Sequence, residues 1–383
     1  MYYSRPNETL EDHVKNVIEI CKSFNININL LTTDKIIKDM FYNTIKLHDA
    51  GKTNPYFQYY ISHNKYRNSH KKDHSIVSTV YYICNQYSKY VVNIECENKR
   101  KTIKRKKYLC KYILLFSYNI YKHHGSLGNL DNINDYLDKL INHYNENKDM
   151  YENLEIDVEV IKYLKNLNLD SVELEGYKSY LLFKLNYSAL VKADYMSVYK
   201  FYNNKYLKEN RIDNELKTTF INIFNNNEIT KNIYKYKNCE IELSKINRYR
   251  SDMFLESESN LIKNKDNIIF YLEAPTGSGK SNMGLNLSLK LLDDTFTKIV
   301  YTSPLNNISR QMYEDVINKL KDDENVVIIN SKECILETDE YSKDYLNYQT
   351  FNYPFIVTSN VRLFDIFFGV SRNSNLALEG LRN

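Results

Sequence analysis

A chain of 383 residues is long enough for two or three domains, and 43% hydrophobic with 26% charged residues is an ordinary globular composition that excludes wholesale disorder. Nine glycines and five prolines are too few for collagen-like or low-complexity architecture and favour long helices with few turns. Lys+Arg 52 against Asp+Glu 48 leaves +4, too small an excess to argue nucleic-acid binding from bulk charge. No apolar stretch of signal-peptide length follows Met1. The longest apolar runs, such as Tyr112-Ile-Leu-Leu-Phe116, fall short of the roughly 18 residues a membrane span needs. Cys21, Cys84, Cys96, Cys110, Cys239 and Cys334 are scattered without a C-x-x-C pair, which argues against a thiolate zinc site and for free thiols in a cytoplasmic protein.

In chain order, the first 202 residues read as helical. Val14, Val17, Ile18 and Cys21 recur at three- and four-residue steps over 11–21, and segments 34–49, 75–87, 108–121, 133–144 and 180–202 repeat that spacing. Lys99, Arg100, Lys101, Lys104, Arg105, Lys106 and Lys107 form a basic insertion, read as a solvated loop or as a phosphate-contacting patch. Residues 206–240, rich in Asn and Lys with weak periodicity, read as a connector. Beyond it, runs 268–272, 298–302, 326–329 and 355–358 are short and β-branched, with helical spacing at 281–292 and 309–320. Strands alternating with helices predict a parallel sheet, so the expected fold is an all-α domain over 1–205 followed by an α/β domain over 241–383.

All eight histidines lie in the first domain. His13 falls on the first predicted helix, His48-Asp49 at the end of the second, and His70 and His74 before the third. His123-His124 follow, and Asp194 lies on the last helix. Imidazole and carboxylate are the ligands of first-row divalent metals where thiolates are missing, and a helical bundle can aim them at one point. Asp49, anionic and central, suits a ligand bridging two ions. Lys52 would share a helical face with His48 and Asp49 if the helix continued through Gly51, and it is assigned to a substrate phosphate.

This order resembles the HD phosphohydrolase superfamily. His48-Asp-Ala-Gly-Lys52 with Phe57-Gln58, His74-Ser-Ile-Val, and Tyr121-Lys-His-His-Gly125 resemble the HD nuclease domain of the type I CRISPR-associated helicase-nuclease. That resemblance implies that His13, His48, Asp49, His74, His123, His124 and Asp194 hold one or two ions of Mn, Fe, Co or Ni, with Asp49 and Lys52 catalytic. His74, carrying the Ser-Ile-Val continuation, is preferred to His70. His63 and His143 match no motif and are read as surface residues.

Ala274-Pro-Thr-Gly-Ser-Gly-Lys-Ser281 lies between a predicted strand and a predicted helix, the setting a phosphate-binding loop requires. Glycines 277 and 279 let backbone N–H groups close on phosphate oxygens, Lys280 would reach the β- and γ-phosphates, and Ser281 would hold magnesium. Thr276, Gly277, Ser278, Gly279, Lys280 and Ser281 are thus the expected Mg-ATP contacts. Ala274 in place of the first glycine is similar to superfamily-2 helicases. Tyr301-Thr-Ser-Pro-Leu305 and Val357-Thr-Ser-Asn-Val361 resemble their nucleic-acid contact motifs, which implies DNA contacts at Thr302, Ser303, Pro304, Arg310, Thr358 and Ser359.

The resemblance implies a partial RecA-like lobe and a metal-dependent single-stranded DNA nuclease of CRISPR interference. It would act as a monomer, off the membrane, with an RNA-guided surveillance complex as partner. The acidic helicase motif and the second lobe are not in the sequence, so the chain reads as an N-terminal fragment without helicase or ATPase turnover. The alternatives are an HD-type nucleotide phosphohydrolase and a catalytically inactive binding fragment.

Overall fold

The computed structural model describes residues 1–63, 71, 73–128, 132–167, 169, 173–174, 176–330 and 342–381. The chain is mostly helical with a small parallel sheet towards its end. Two short antiparallel strands, β1 (Tyr3–Arg5) and β2 (Glu8–Thr9), turn at Asn7, whose φ of 68° is the left-handed conformation that Asn tolerates. Thr9 then caps α1 (Leu10–Ser23), its side chain accepting from the Asp12 amide. Helices α2 (Lys35–Leu47), α3 (Pro55–His63), α4 (Ser75–Tyr90), α5 (Lys99–Lys122), α6 (Ile133–Glu146), α7 (Val158–Asn166) and α8 (Gly176–Asn203) follow. Their buried faces carry Phe41, Tyr82, Ile113, Phe116, Leu137 and Tyr187 into one core. In α8 the run from Asn186 to Tyr195 is buried on every side, as befits a helix surrounded by others.

The basic stretch is not a loop. It forms the first turns of α5, because Asn98 caps the helix by accepting from the Lys101 amide, and its residues, without Gly or Pro, are good helix formers. Arg105 makes a two-pronged ion pair with Asp34.

The stretch expected as a connector also folds. Helices α9 (Asn214–Asn226) and α10 (Glu228–Lys237) bury Phe220, Phe224 and Ile233 in a second core, which the weak surface periodicity had concealed. This core continues through α11 (Lys245–Lys263), α12 (Lys280–Leu291), β3 (Ile299–Ser303), α13 (Asn306–Leu320) and β4 (Val326–Ile329). The short α14 (Lys343–Gln349) precedes β5 (Phe355–Ser359), α15 (Asn360–Phe368) and α16 (Arg372–Gly380). The sheet is parallel in the order β3-β5-β4, with Ile299 and Val326 both in register with Phe355, and its central strand is buried throughout.

The strand expected at 268–272 does not form. Among the described residues no strand pairs with it, and Ile268 and Tyr271 are 92% and 90% exposed, so its β-branched residues have no ladder to join.

By its contacts the chain divides into two compact units, 1–207 with 339–350 and 365–380, and 208–338 with 351–364 and 381–383. The first unit thus recovers α16 from near the end of the chain. Leu376 and Ala377 are fully buried against the first core, and Glu379 pairs with the buried Lys192 of α8. Among the described residues no helix is long and apolar enough to cross a membrane.

Candidate metal centre and phosphate loop

Five helices of the first unit bring seven polar side chains to one place. His13 comes from the middle of α1, His48 and Asp49 from the end of α2, and His74 from the residue capping α4. His123 and His124 come from the end of α5, and Asp194 from α8. Ligand atoms of Asp49, His74, His123 and His124 all lie within 4.8 Å of one another, as do those of His13, His48 and Asp194.

Asp49 joins the two groups. Its Oδ2 is 3.1 Å from His13 Nε2 and 3.4 Å from His48 Nε2, while its Oδ1 is 3.0 Å from His74 Nε2 and 3.7 Å from His123 Nε2. Asp194 Oδ1 is 3.4 Å from His13 Nε2, and His124 Nε2 is 2.9 Å from His74 Nε2. His124 stands at the exposed edge of the cluster, the other six being buried.

The imidazoles are turned by bonds behind them. His48 Nδ1–H donates to the Ile45 carbonyl at 2.8 Å and His123 Nδ1–H to the Ile120 carbonyl at 2.6 Å, which leaves each Nε2 a bare lone pair facing Asp49. Tyr187 Oη, bonded to the carbonyls of Lys122 and Gly125, holds the turn that carries His123 and His124. Nε2 of His13, His48 and His123 and both oxygens of Asp49 are shielded from water, and the cation that stands against Asp49 is Lys52, 2.7 Å from Oδ2. Buried acceptors of this kind are rare and costly, and a divalent cation is what such a donor set satisfies, so the residues fit the ions the sequence implied.

The electrostatics reflect this crowding. Burial opposes charge on His13, but the carboxylates of Asp194, Asp49 and Glu8, which accept from its ring N–H groups, outweigh it and push the imidazolium up to about 10. Burial pulls His48 down to about 4 and lowers His74. Burial would raise Asp49, yet the surrounding imidazoles of His48, His123 and His13 and the ammonium of Lys52 hold it well below the usual carboxylate range.

Lys52 is placed differently from the sequence expectation. The helix does not run through Gly51: α2 stops at Leu47, and Ala50–Thr53 is a turn of 3-10 helix. Lys52 is buried rather than at an exposed helix end, with Nζ 2.7 Å from Asp49 Oδ2 and 3.0 Å from Ser4 Oγ. Gly51 is what lets this turn dock. Its amide donates to Ser78 Oγ, and a Cβ here would lie 2.2 Å from the His74 carbonyl oxygen. Gln58 then ties the turn to the hairpin, donating to the Lys52 and Tyr3 carbonyls.

His70 lies outside the described residues. His63 is exposed, as expected, whereas His143 is half-buried with Nδ1 2.7 Å from Tyr151 Oη. Sequence reasoning missed Glu8 and Ser197, which flank His13 Nδ1 at 3.4 and 3.2 Å. The acidic residue just before the Thr9 cap was the available signal for the first.

In the second unit, the loop Ala274–Gly279 leads into α12, whose first two residues are Lys280 and Ser281. Gly277 and Gly279, at φ 78° and 91°, adopt the left-handed backbone that a side chain would resist. Thr276, Gly277, Gly279, Lys280 and Ser281 are exposed. Lys280 Nζ folds back on the Ala274 carbonyl at 2.6 Å, and Arg250 of α11 donates Nε–H to the Gly277 carbonyl at 2.9 Å. A cleft of about 780 Å³ beside the loop is lined by Asn247, Arg250, Ser278, Asn282 and Gln311 among others, with Ser278 Oγ and Asn282 Oδ1 buried and without hydrogen-bond partners.

The six expected DNA contacts divide into three that are buried and three at the surface. Ser303, Thr358 and Ser359 are buried at the strand ends with their hydroxyls engaged internally. Ser303 bonds with Ser309 and the Leu305 carbonyl, Thr358 donates to the Ile329 carbonyl, and Ser359 caps α15 through the Arg362 amide. Thr302, Pro304 and Arg310 remain at the surface, Thr302 partly.

The family model of the DEAD/DEAH box helicases matches residues 255–382, a span that contains the phosphate loop and all three sheet strands. No curated protein matches the chain. The chain thus carries a DEAD/DEAH helicase domain over residues 255–382, related to ATP-dependent helicases, with the use of Mg-ATP and the binding of nucleic acid which that relationship implies.

Proposed function

We propose that this chain is a metal-dependent phosphodiesterase that cuts single-stranded DNA, joined to an ATP-dependent helicase lobe, in the manner of the type I CRISPR-associated helicase-nuclease. One observation carries the reading: the two oxygens of Asp49 face two separate sets of buried imidazole Nε2 atoms, His13 and His48 on one side and His74 and His123 on the other.

His13, His48 and Asp194 would hold one ion and His74, His123 and His124 a second, with Asp49 shared between them. A bound divalent ion supplies a water of pKa near 7 in place of 15.7, and positive charge for the scissile phosphate. The chain's own residues do the rest. The Ile45 and Ile120 carbonyls keep His48 and His123 in the ligating tautomer, and burial keeps bulk water from competing for the site. Lys52, held against Asp49, would lend its positive charge to the substrate phosphate. His124, at the exposed edge, faces the side from which a strand can enter.

In the helicase domain, Thr276–Ser281 would take the phosphates of Mg-ATP, and Thr302, Pro304 and Arg310 would meet the DNA backbone. An RNA-guided surveillance complex is the proposed partner.

The test is a cleavage assay on a labelled single-stranded oligonucleotide with Mn²⁺, Co²⁺ or Ni²⁺, run beside a panel of dNTPs. Oligonucleotide cutting that disappears in Asp49→Ala is the expected result. Hydrolysis of dNTPs with intact oligonucleotide would favour a nucleotide phosphohydrolase, and undiminished cutting by Asp49→Ala would overturn the assigned centre.

A further inference from the structure

His13 differs from the other inward-facing imidazoles in what stands behind it. Nδ1 of His48 and His123 meets a backbone carbonyl, whereas Nδ1 of His13 meets two side-chain oxygens and a guanidinium. Glu8 Oε2 is 3.4 Å away, Ser197 Oγ 3.2 Å and Arg5 Nη2 3.4 Å. The single proton of Ser197 goes to the Asp194 carbonyl at 2.8 Å, so its oxygen can only accept from His13. Arg5 can only donate, and a donor at Nδ1 favours the tautomer that carries its proton on Nε2, which cannot ligate.

Glu8 decides between these. Its carboxylate is 4% exposed, and its Oε2 takes Arg5 Nε at 2.9 Å. Arg5 and Glu8 are paired in the β1–β2 register, and Thr9, next in sequence, caps α1, so the hairpin fixes Glu8 relative to His13 on that helix. Resting on the metal-centre reading above, we infer that Glu8 is the positioning residue of the centre: it engages Arg5, accepts the His13 Nδ1 proton and so keeps Nε2 free for the metal. Carboxylate–histidine–metal relays orient the ring and raise its basicity, and Glu8, with Oε2 3.4 Å from Nδ1 and both oxygens buried, is the carboxylate placed to complete one.

The test uses Zn²⁺ as the probe, titrated into the full chain against a chromophoric chelator, with circular dichroism as the folding control. The parent is measured first, and failure to take up Zn²⁺ would remove the metal-centre reading and this inference with it. With uptake by the parent, Glu8→Gln is expected to weaken Zn²⁺ binding about 10- to 100-fold, the usual range for loss of such a partner. Adding Arg5→Met to that variant is expected to recover part of the loss, because the competing donor is then gone; loss of packing alone would be deepened by the second change. Parent-like affinity in Glu8→Gln would overturn the role of Glu8 and leave the metal centre standing. Should Glu8→Gln fail to fold, ¹⁵N-histidine spectra of the Zn²⁺-loaded parent decide: a proton on Nδ1 of His13 is required, and a bare Nδ1 refutes the inference.

Discussion

At His13 a proton and the proposed metal ion would compete for one site. In the metal-free protein its imidazolium bridges Asp49 and Asp194, with a pKa pushed up to about 10 against about 6.5 for an unfolded chain. The proton therefore stabilises the folded metal-free protein fully below pH 6.5, and that contribution is lost as pH rises through 10. A metal ion must displace it, so apparent affinity should climb between pH 6.5 and 8.5, by about tenfold per unit for one proton released. His48 and His74, lowered by burial, are neutral over that range and add no release. Mn²⁺ titrations in buffers of different ionisation enthalpy check this, and an affinity flat with pH would contradict it. The convergence of residues 48, 49, 74, 123 and 124 was legible in the sequence because each of them sits in a short local motif. Glu8 was not, since its meaning depends on a hairpin that brings it against a residue on the next helix.

Among the elements, the turn Ala50–Thr53 and the start of α4 meet with no room between them, Gly51 lying where any Cβ would strike the His74 carbonyl. Gly51→Ala should separate the halves of the cluster, cost about 1–3 kcal/mol of stability as overpacking does, and weaken Mn²⁺ binding. Gly125→Ala, beside His124 with open space around its Cβ position, should do neither. Thermal melts and metal titration of the pair distinguish a local steric requirement from general glycine intolerance. The same scale explains what the sequence hid. Helical spacing located α1, α2, α4 and α6 to within a few residues, because each buries one stripe. Composition misled at 99–107, where exposed lysines and arginines suggested a loop although they are good helix formers. It misled again at 268–272, because β-branched residues make a strand only beside a partner. At Ser303 and Thr358 the motif left open which hydroxyls the sheet itself bonds.

For the whole molecule, the metal cluster and the phosphate loop belong to units with separate cores. Lys280→Ala should abolish binding of a fluorescent ATP analogue while leaving Mn²⁺ affinity and oligonucleotide cutting within about twofold. Loss of both would mean that the two chemistries share a determinant. Differential scanning calorimetry should resolve two transitions, with metal raising one and Mg-nucleotide the other, since each ligand stabilises only the fold that binds it.

The path of the backbone adds a constraint of a different kind. After leaving the first unit at 207 the polypeptide re-enters it at 339–350 and again at 365–380, where Glu379 meets Lys192 in the interior. Severing the peptide at 207/208 would not release an autonomous amino-terminal body: the stump would bare the α8 groove and strand an ammonium ion in an apolar setting. Protease nicking there should leave both pieces co-eluting.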